Sequence, residues 1–125
     1  MSMVLDAGAL IAVDRGDREL IALIKVERQA GRSPITHGGV IGQVWRGARA
    51  QHHLARALPA LDVRAIDETL GRRAGVLCGA TERSDVIDAA IVLVAQDGDE
   101  IYTSDTGDLS ALAQGTGRRL TLIPV

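Results

Sequence analysis

Five aspartates in this chain of 125 residues are spaced so that they can act together: Asp6 in VLDAGALIA, Asp85 and Asp88 in SDVIDAAIVLVA, and Asp105 and Asp108 in IYTSDTGDL. Each group sits where an apolar strand-like run hands over to a helix-like one. Such junctions can meet at one edge of a parallel sheet even when they are far apart in sequence. Carboxylates gathered there repel one another: two of them about 5 Å apart cost roughly 3 kcal/mol at an effective dielectric near 20. A hard divalent cation, Mg²⁺ or Mn²⁺, would relieve that repulsion through oxygen ligation. Helix capping competes as an explanation, because Asp6, Asp85 and Asp105 each precede a helical pattern. The spacings Asp85-x-x-Asp88 and Asp105-x-x-Asp108 also imitate a capping box. A cap returns only about 1 kcal/mol, which does not hold three acids together. The one basic residue close in sequence to any of them is Arg83.

Positioning the aspartates requires alternating strands and helices. Met3–Leu5 reads as a strand closed by Asp6 and followed by a short helix. Asp14–Asp17 reads as a turn, and residues 19–30 as an amphipathic helix that Gly31 ends. Residues 34–36 are extended, 38–47 and 51–58 helical, and 61–66 strand-like after Pro59. Residues 68–80 suit a helix despite three internal glycines, and 86–95 suit a buried one. Strands at 100–103 and 120–124 flank a helical 109–112. The expected fold is α/β: a three-layer α/β/α sandwich on a parallel sheet of four to five strands with right-handed crossovers, and the aspartates meet if its strand order is 3-2-1-4-5. That order puts Asp6 and Asp105 on the two strands flanking the switch point, with Asp88 facing the same crevice.

Composition narrows the function classes. With 46% hydrophobic and 24% charged residues the chain is an ordinary globular domain, long enough for one core. Trp45 and Tyr102 are its only aromatics, so it lacks the stacking platforms of single-strand-binding modules. A net charge of −2 leaves no overall basic footprint, and any nucleic-acid contact must come from a local patch. Cys78 is the lone cysteine and forms no internal disulfide. No signal-peptide pattern or membrane-length apolar run is present. The expected compartment is the cytoplasm.

VLDAGALIA, SDVIDAAIVLVA and TSDTGDL, in that order and spacing, resemble the PIN domain, most closely the VapC-type ribonuclease toxins of bacterial toxin–antitoxin pairs. The resemblance spans essentially the whole chain. It implies a Mg²⁺- or Mn²⁺-dependent endoribonuclease, commonly a homodimer, silenced by a small cognate antitoxin. Asp6, Asp88 and Asp105 take the roles of catalytic metal ligands, with Asp85 and Asp108 as supporting acids. One position departs from the pattern: where the family usually carries glutamate in a sequence close to EVWRG, this chain has Gln43 in QVWRG. An amide oxygen can coordinate an ion or hold a water, but it brings no charge and cannot act as a base.

RNA must approach an acidic crevice past a basic rim. Arg46 and Arg49 are placed to clamp phosphates, with Arg15, and Arg18 beside it, on the turn after the first helix. Arg72, Arg73, Arg118 and Arg119 read as solvated, and Trp45 as packing rather than stacking. His37, His52 and His53 read as surface histidines. Rival α/β families lack their marks. A phosphoacceptor receiver needs a lysine near its last strand, whereas Lys25 lies early; a dehalogenase-type phosphatase needs Asp-x-Asp where this chain has Asp6-Ala7-Gly8; and no dinucleotide-binding glycine turn is present. The remaining alternative is a degenerate PIN fold, its metal site spoiled at Gln43, that binds a partner or RNA without catalysis.

Overall fold

Local chemistry dictates most of the elements in the computed structural model, which describes residues 1–125. Strand β1 (Met3–Leu5) is fully buried and leads through Asp6 into helix α1 (Ala7–Asp14). Helix α2 (Arg18–Gln29) is capped by Asp17 and buries Leu20 and Ile24; the chain leaves it through Gly31, whose φ of +79° an L side chain rarely adopts. Strand β2 (Ile35–His37) runs into α3 (Gly38–Val44); α4 (His52–Ala57) and a single 3-10 turn (Leu58–Ala60) lead to the edge strand β3 (Asp62–Arg64). Helices α5 (Glu68–Thr81) and α6 (Val86–Val94), strand β4 (Glu100–Thr103), helix α7 (Thr106–Gly115) and strand β5 (Thr121–Pro124) complete the chain.

All strand pairings are parallel, in the order β3-β2-β1-β4-β5, as expected. Helices α1 to α4 pack among themselves, and α5 to α7 do likewise. Right-handed crossovers explain the division. The chain moves outward from β1 to β3 with helices on one face, then reverses past β1 to β4 and β5 with helices on the other. One apolar core joins the layers, built from Val4, Leu5, Leu10, Ile91, Ile101, Leu109 and Leu112 among others. No helix is long and apolar enough to cross a membrane.

Several boundaries differ from expectation, each for a physical reason. Helix α3 stops at Val44, three residues before Gly47, because the Gln51 side chain takes over the turn that follows. Its Nε2 donates to the Val44 carbonyl (2.9 Å), and its Oε1 accepts from the amides of Arg46 (2.6 Å) and Gly47 (3.2 Å). Helix α7 is longer than residues 109–112: Asp105 caps it, and it runs from Thr106 to Gly115 with Leu109, Leu112 and Ala113 buried. Helix α5 tolerates its glycines because Leu70, Ala74, Leu77 and Cys78 fill one buried stripe, while Gly71, Gly75 and Gly79 meet nothing within 4 Å. The junction at Asp85 and Asp88 follows helix α5 rather than a strand. Glu82 makes that turn in the left-handed conformation at φ 56°.

Candidate metal centre

Asp6 and Asp105 meet because β1 and β4 are neighbours in register. Leu5 pairs with Tyr102, and the Asp6 amide continues the ladder onto the Tyr102 carbonyl at 3.2 Å, which sets Asp6 beside Thr103. The buried Thr103 hydroxyl stands beside both acids: it holds the Asp6 carboxyl down against burial and accepts from the Asp105 amide at 2.9 Å. Gly8 permits the approach. A Cβ there would lie 2.2 Å from Ser104 Oγ and 2.8 Å from the Ser104 backbone nitrogen, so no side chain fits between α1 and the end of β4. Thr103 and Gly8 were not singled out from sequence, although both stand within the motifs around Asp105 and Asp6.

Capping and clustering coexist. Asp6 accepts from the Ala9 amide (3.1 Å), Asp85 from Asp88 (3.1 Å) and Asp105 from Asp108 (3.2 Å), each through Oδ1. The helix N-termini thus share these carboxylates with any ligand and lend them partial positive charge. Asp67 caps α5 in the same way, but it follows β3, two strands away from β1.

The carboxylates are close enough to repel one another. Burial, followed by the charges of Asp85, Asp6, Asp105 and Asp108 in that order, pushes the half-buried Asp88 from 3.8 up to about 6. The other four expected aspartates therefore all act on the Asp88 carboxyl group. Asp6 is also raised, by burial first and slightly by Asp105, against the lowering bonds from Thr103, Ala9 and Gly8. No basic side chain is among the groups that perturb Asp88, and the ion pairs of the molecule, Arg32–Glu27, Arg64–Asp62, Arg72–Glu68 and Arg119–Asp97, leave all five acids out. As the side chains stand, no three of them converge closely enough to enclose an ion. Asp6, Asp85 and Asp105 each engage a backbone amide instead, and an all-carboxylate donor set suits a hard cation that keeps some of its waters.

The other expected site residues divide. Gln43 is exposed on the last turn of α3, one turn after Gly39 on the same face. That face adjoins α6, because a Cβ at Gly39 would lie 2.5 Å from Ile87 Cδ1. Arg46 is not a free clamp: its guanidinium donates to the carbonyls of Gly42, Trp45 and Gln43 and so caps α3. Arg49 is exposed on the following turn. Arg15 lies in a groove of about 690 Å³ that Arg18, Lys25, Arg28, His53 and Arg56 also line, over a floor containing Ile21 and Ile24. Trp45 packs against the core as expected.

The histidines need one correction. His52 is exposed and His53 half-buried, but His37 is wholly inaccessible. It caps α3 through its ring, a role more often filled by Ser, Thr, Asp or Asn, and nothing local in the sequence announces it. Burial lowers its pKa, partly offset by its bond to the Ile87 carbonyl. A scan against protein-family models finds no match for this chain, and a search of curated proteins finds none either.

Proposed function

We propose that this chain is a divalent-metal-dependent endoribonuclease with a PIN-like site, acting as the toxin of a toxin–antitoxin pair in the cytoplasm, as a homodimer held in check by a small cognate antitoxin. The observation that carries the reading is the meeting of Asp6 and Asp105 at the ends of the paired strands β1 and β4, with the carboxyl of Asp88 raised by burial and by the charges of all four other aspartates and no cation among its perturbing neighbours. Capping alone does not account for it, since each cap needs one carboxylate and none needs five.

Asp6, Asp88 and Asp105 would hold the Mg²⁺ or Mn²⁺, with Asp85 and Asp108 as outer acids and Gln43 as a neutral oxygen donor. When bound, such an ion supplies Lewis-acid activation of a water and neutralises charge on the phosphodiester. The chain itself contributes orientation. Thr103 holds the Asp105 backbone beside Asp6, and the caps at Asp85 and Asp105 leave one oxygen of each carboxylate available. A half-buried setting weakens competition from water and strengthens every charge interaction in the crevice. The RNA backbone would approach along Arg49 and the basic groove that includes Arg15. Incubating single-stranded RNA with the protein and Mn²⁺ tests the proposal: cleavage to 5′-phosphate ends is expected, abolished by chelator and by Asp6→Asn or Asp105→Asn. RNA bound but left intact under all these conditions would instead favour a non-catalytic binding module.

Gln43 offers a graded test of the same geometry. Gln43→Glu adds a charged oxygen to a neutral position, and Mn²⁺ affinity should rise about tenfold, because affinity of such sites follows ligand charge. Metal-free stability should fall slightly in the same variant. Unchanged affinity would put residue 43 outside the reach of the ion.

A further inference from the structure

His37 stands 51 residues before Asp88, yet its ring touches the residue next to it. Nε2 lies 2.9 Å from the Ile87 carbonyl oxygen, while Nδ1 accepts from the amides of Gly39 (3.1 Å) and Val40 (3.3 Å). Two N–H groups directed at Nδ1 require a lone pair there, so the proton resides on Nε2 and the ring donates to Ile87. The imidazole is a neutral strut with one end in the N-terminus of α3 and the other in the first turn of α6. Packing repeats the connection, because Gly39 leaves no space for a Cβ against Ile87 Cδ1. Helix α3 carries Gln43, and the first turn of α6 carries Asp88, capped by Asp85.

We infer that His37 is a positioning residue for the acidic crevice, its bond to the Ile87 carbonyl fixing where Asp88 stands relative to α3 and thereby setting the affinity for a divalent ion. The inference rests on the metal reading above and adds a residue that touches neither ion nor substrate. A cap alone would need only Nδ1. The second nitrogen has a separate use, and the two can be separated by substitution.

Asparagine places an amide oxygen near Nδ1 and preserves the cap, but it is too short to reach Ile87. Glutamine places an amide N–H near Nε2 and preserves the tie to α6 while losing the cap. Thermal stability should therefore fall more in His37→Gln, which leaves two helix amides without an acceptor, than in His37→Asn. Mn²⁺ affinity should fall in the opposite order: about tenfold in His37→Asn, the upper end for one lost net hydrogen bond, and within about twofold in His37→Gln. Hydrogen exchange in the metal-free protein gives an ion-independent reading, with faster exchange at the first-turn amides of α6 in His37→Asn alone. Affinity and exchange that merely track stability in both variants would overturn the inference while leaving the metal reading intact. Wild-type protein that binds no Mn²⁺ would overturn both.

Discussion

Asp88→Asn is expected to make the metal-free protein more stable while removing its metal-dependent activity. Asp88 carries the largest electrostatic strain in the molecule, displaced from 3.8 to about 6 by burial and four like charges. A carboxyl raised in this way binds its proton more tightly folded than unfolded. The folded state therefore holds more protons between those two values, and stability falls as pH rises through that interval. Above about pH 6 the full penalty persists. For a fully buried group the displacement would correspond to roughly 3 kcal/mol; with Asp88 half-exposed, solvent screening reduces it to about 1–2 kcal/mol. Asparagine is neutral and nearly isosteric, so at pH 7.5 the variant should melt about 4–8 °C higher. The gain should vanish near pH 4, where wild-type Asp88 is protonated. Mn²⁺ affinity should drop by about a hundredfold and RNA cleavage by about a thousandfold. Melting curves across pH in chelator, set beside cleavage rates, check both halves. A variant less stable than wild type at pH 7.5 would mean that the acids are compensated within the protein.

Gly8→Ala should do the opposite and damage fold and site together. Alanine is the better helix former by about 1 kcal/mol, so propensity alone predicts a gain in α1. Steric contact overrides it. The new methyl would meet Ser104 Oγ, which can rotate away, and also the Ser104 backbone nitrogen at 2.8 Å, which cannot. Relief requires α1 to move off the end of β4, at a cost of about 1–3 kcal/mol. The motion separates Asp6 from Asp105, so Mn²⁺ affinity should also fall about tenfold. Gly75→Ala is the control: it lies in a helix with nothing within 4 Å, and it should stabilise by about 0.5–1 kcal/mol. Equal gains at both positions would remove the close approach from the account.

Local signals carried the fold further than they carried the site. Met3–Leu5 and Glu100–Thr103 form strands at the expected residues, because short apolar runs bounded by Asp6 or by Ser104-Asp105 leave little choice of boundary. The alternation of elements specified a parallel sheet with right-handed crossovers, while the order β3-β2-β1-β4-β5 came from the resemblance and from the need to bring the aspartates together. The capping aspartates were legible for the same reason, since an N-cap is read from its own helix. What remained hidden depends on partners distant in sequence. Gln51 ends α3 from seven residues downstream, His37 reaches Ile87, and the Asp6 amide bonds across to the Tyr102 carbonyl. Arg46 reads as a phosphate clamp by type, and folding turns it back on its own helix carbonyls. Basic residues are abundant on any surface, and sequence alone does not say which of them a carbonyl has already engaged.

Calorimetric titration of Mn²⁺ into the chelator-treated protein at pH 7.5 puts the central claim to its most direct test. Saturable binding with Kd below about 1 mM, lost in each of Asp6→Asn, Asp88→Asn and Asp105→Asn, is the predicted result. Absence of binding to the wild-type chain, or binding that survives all three substitutions, would contradict it.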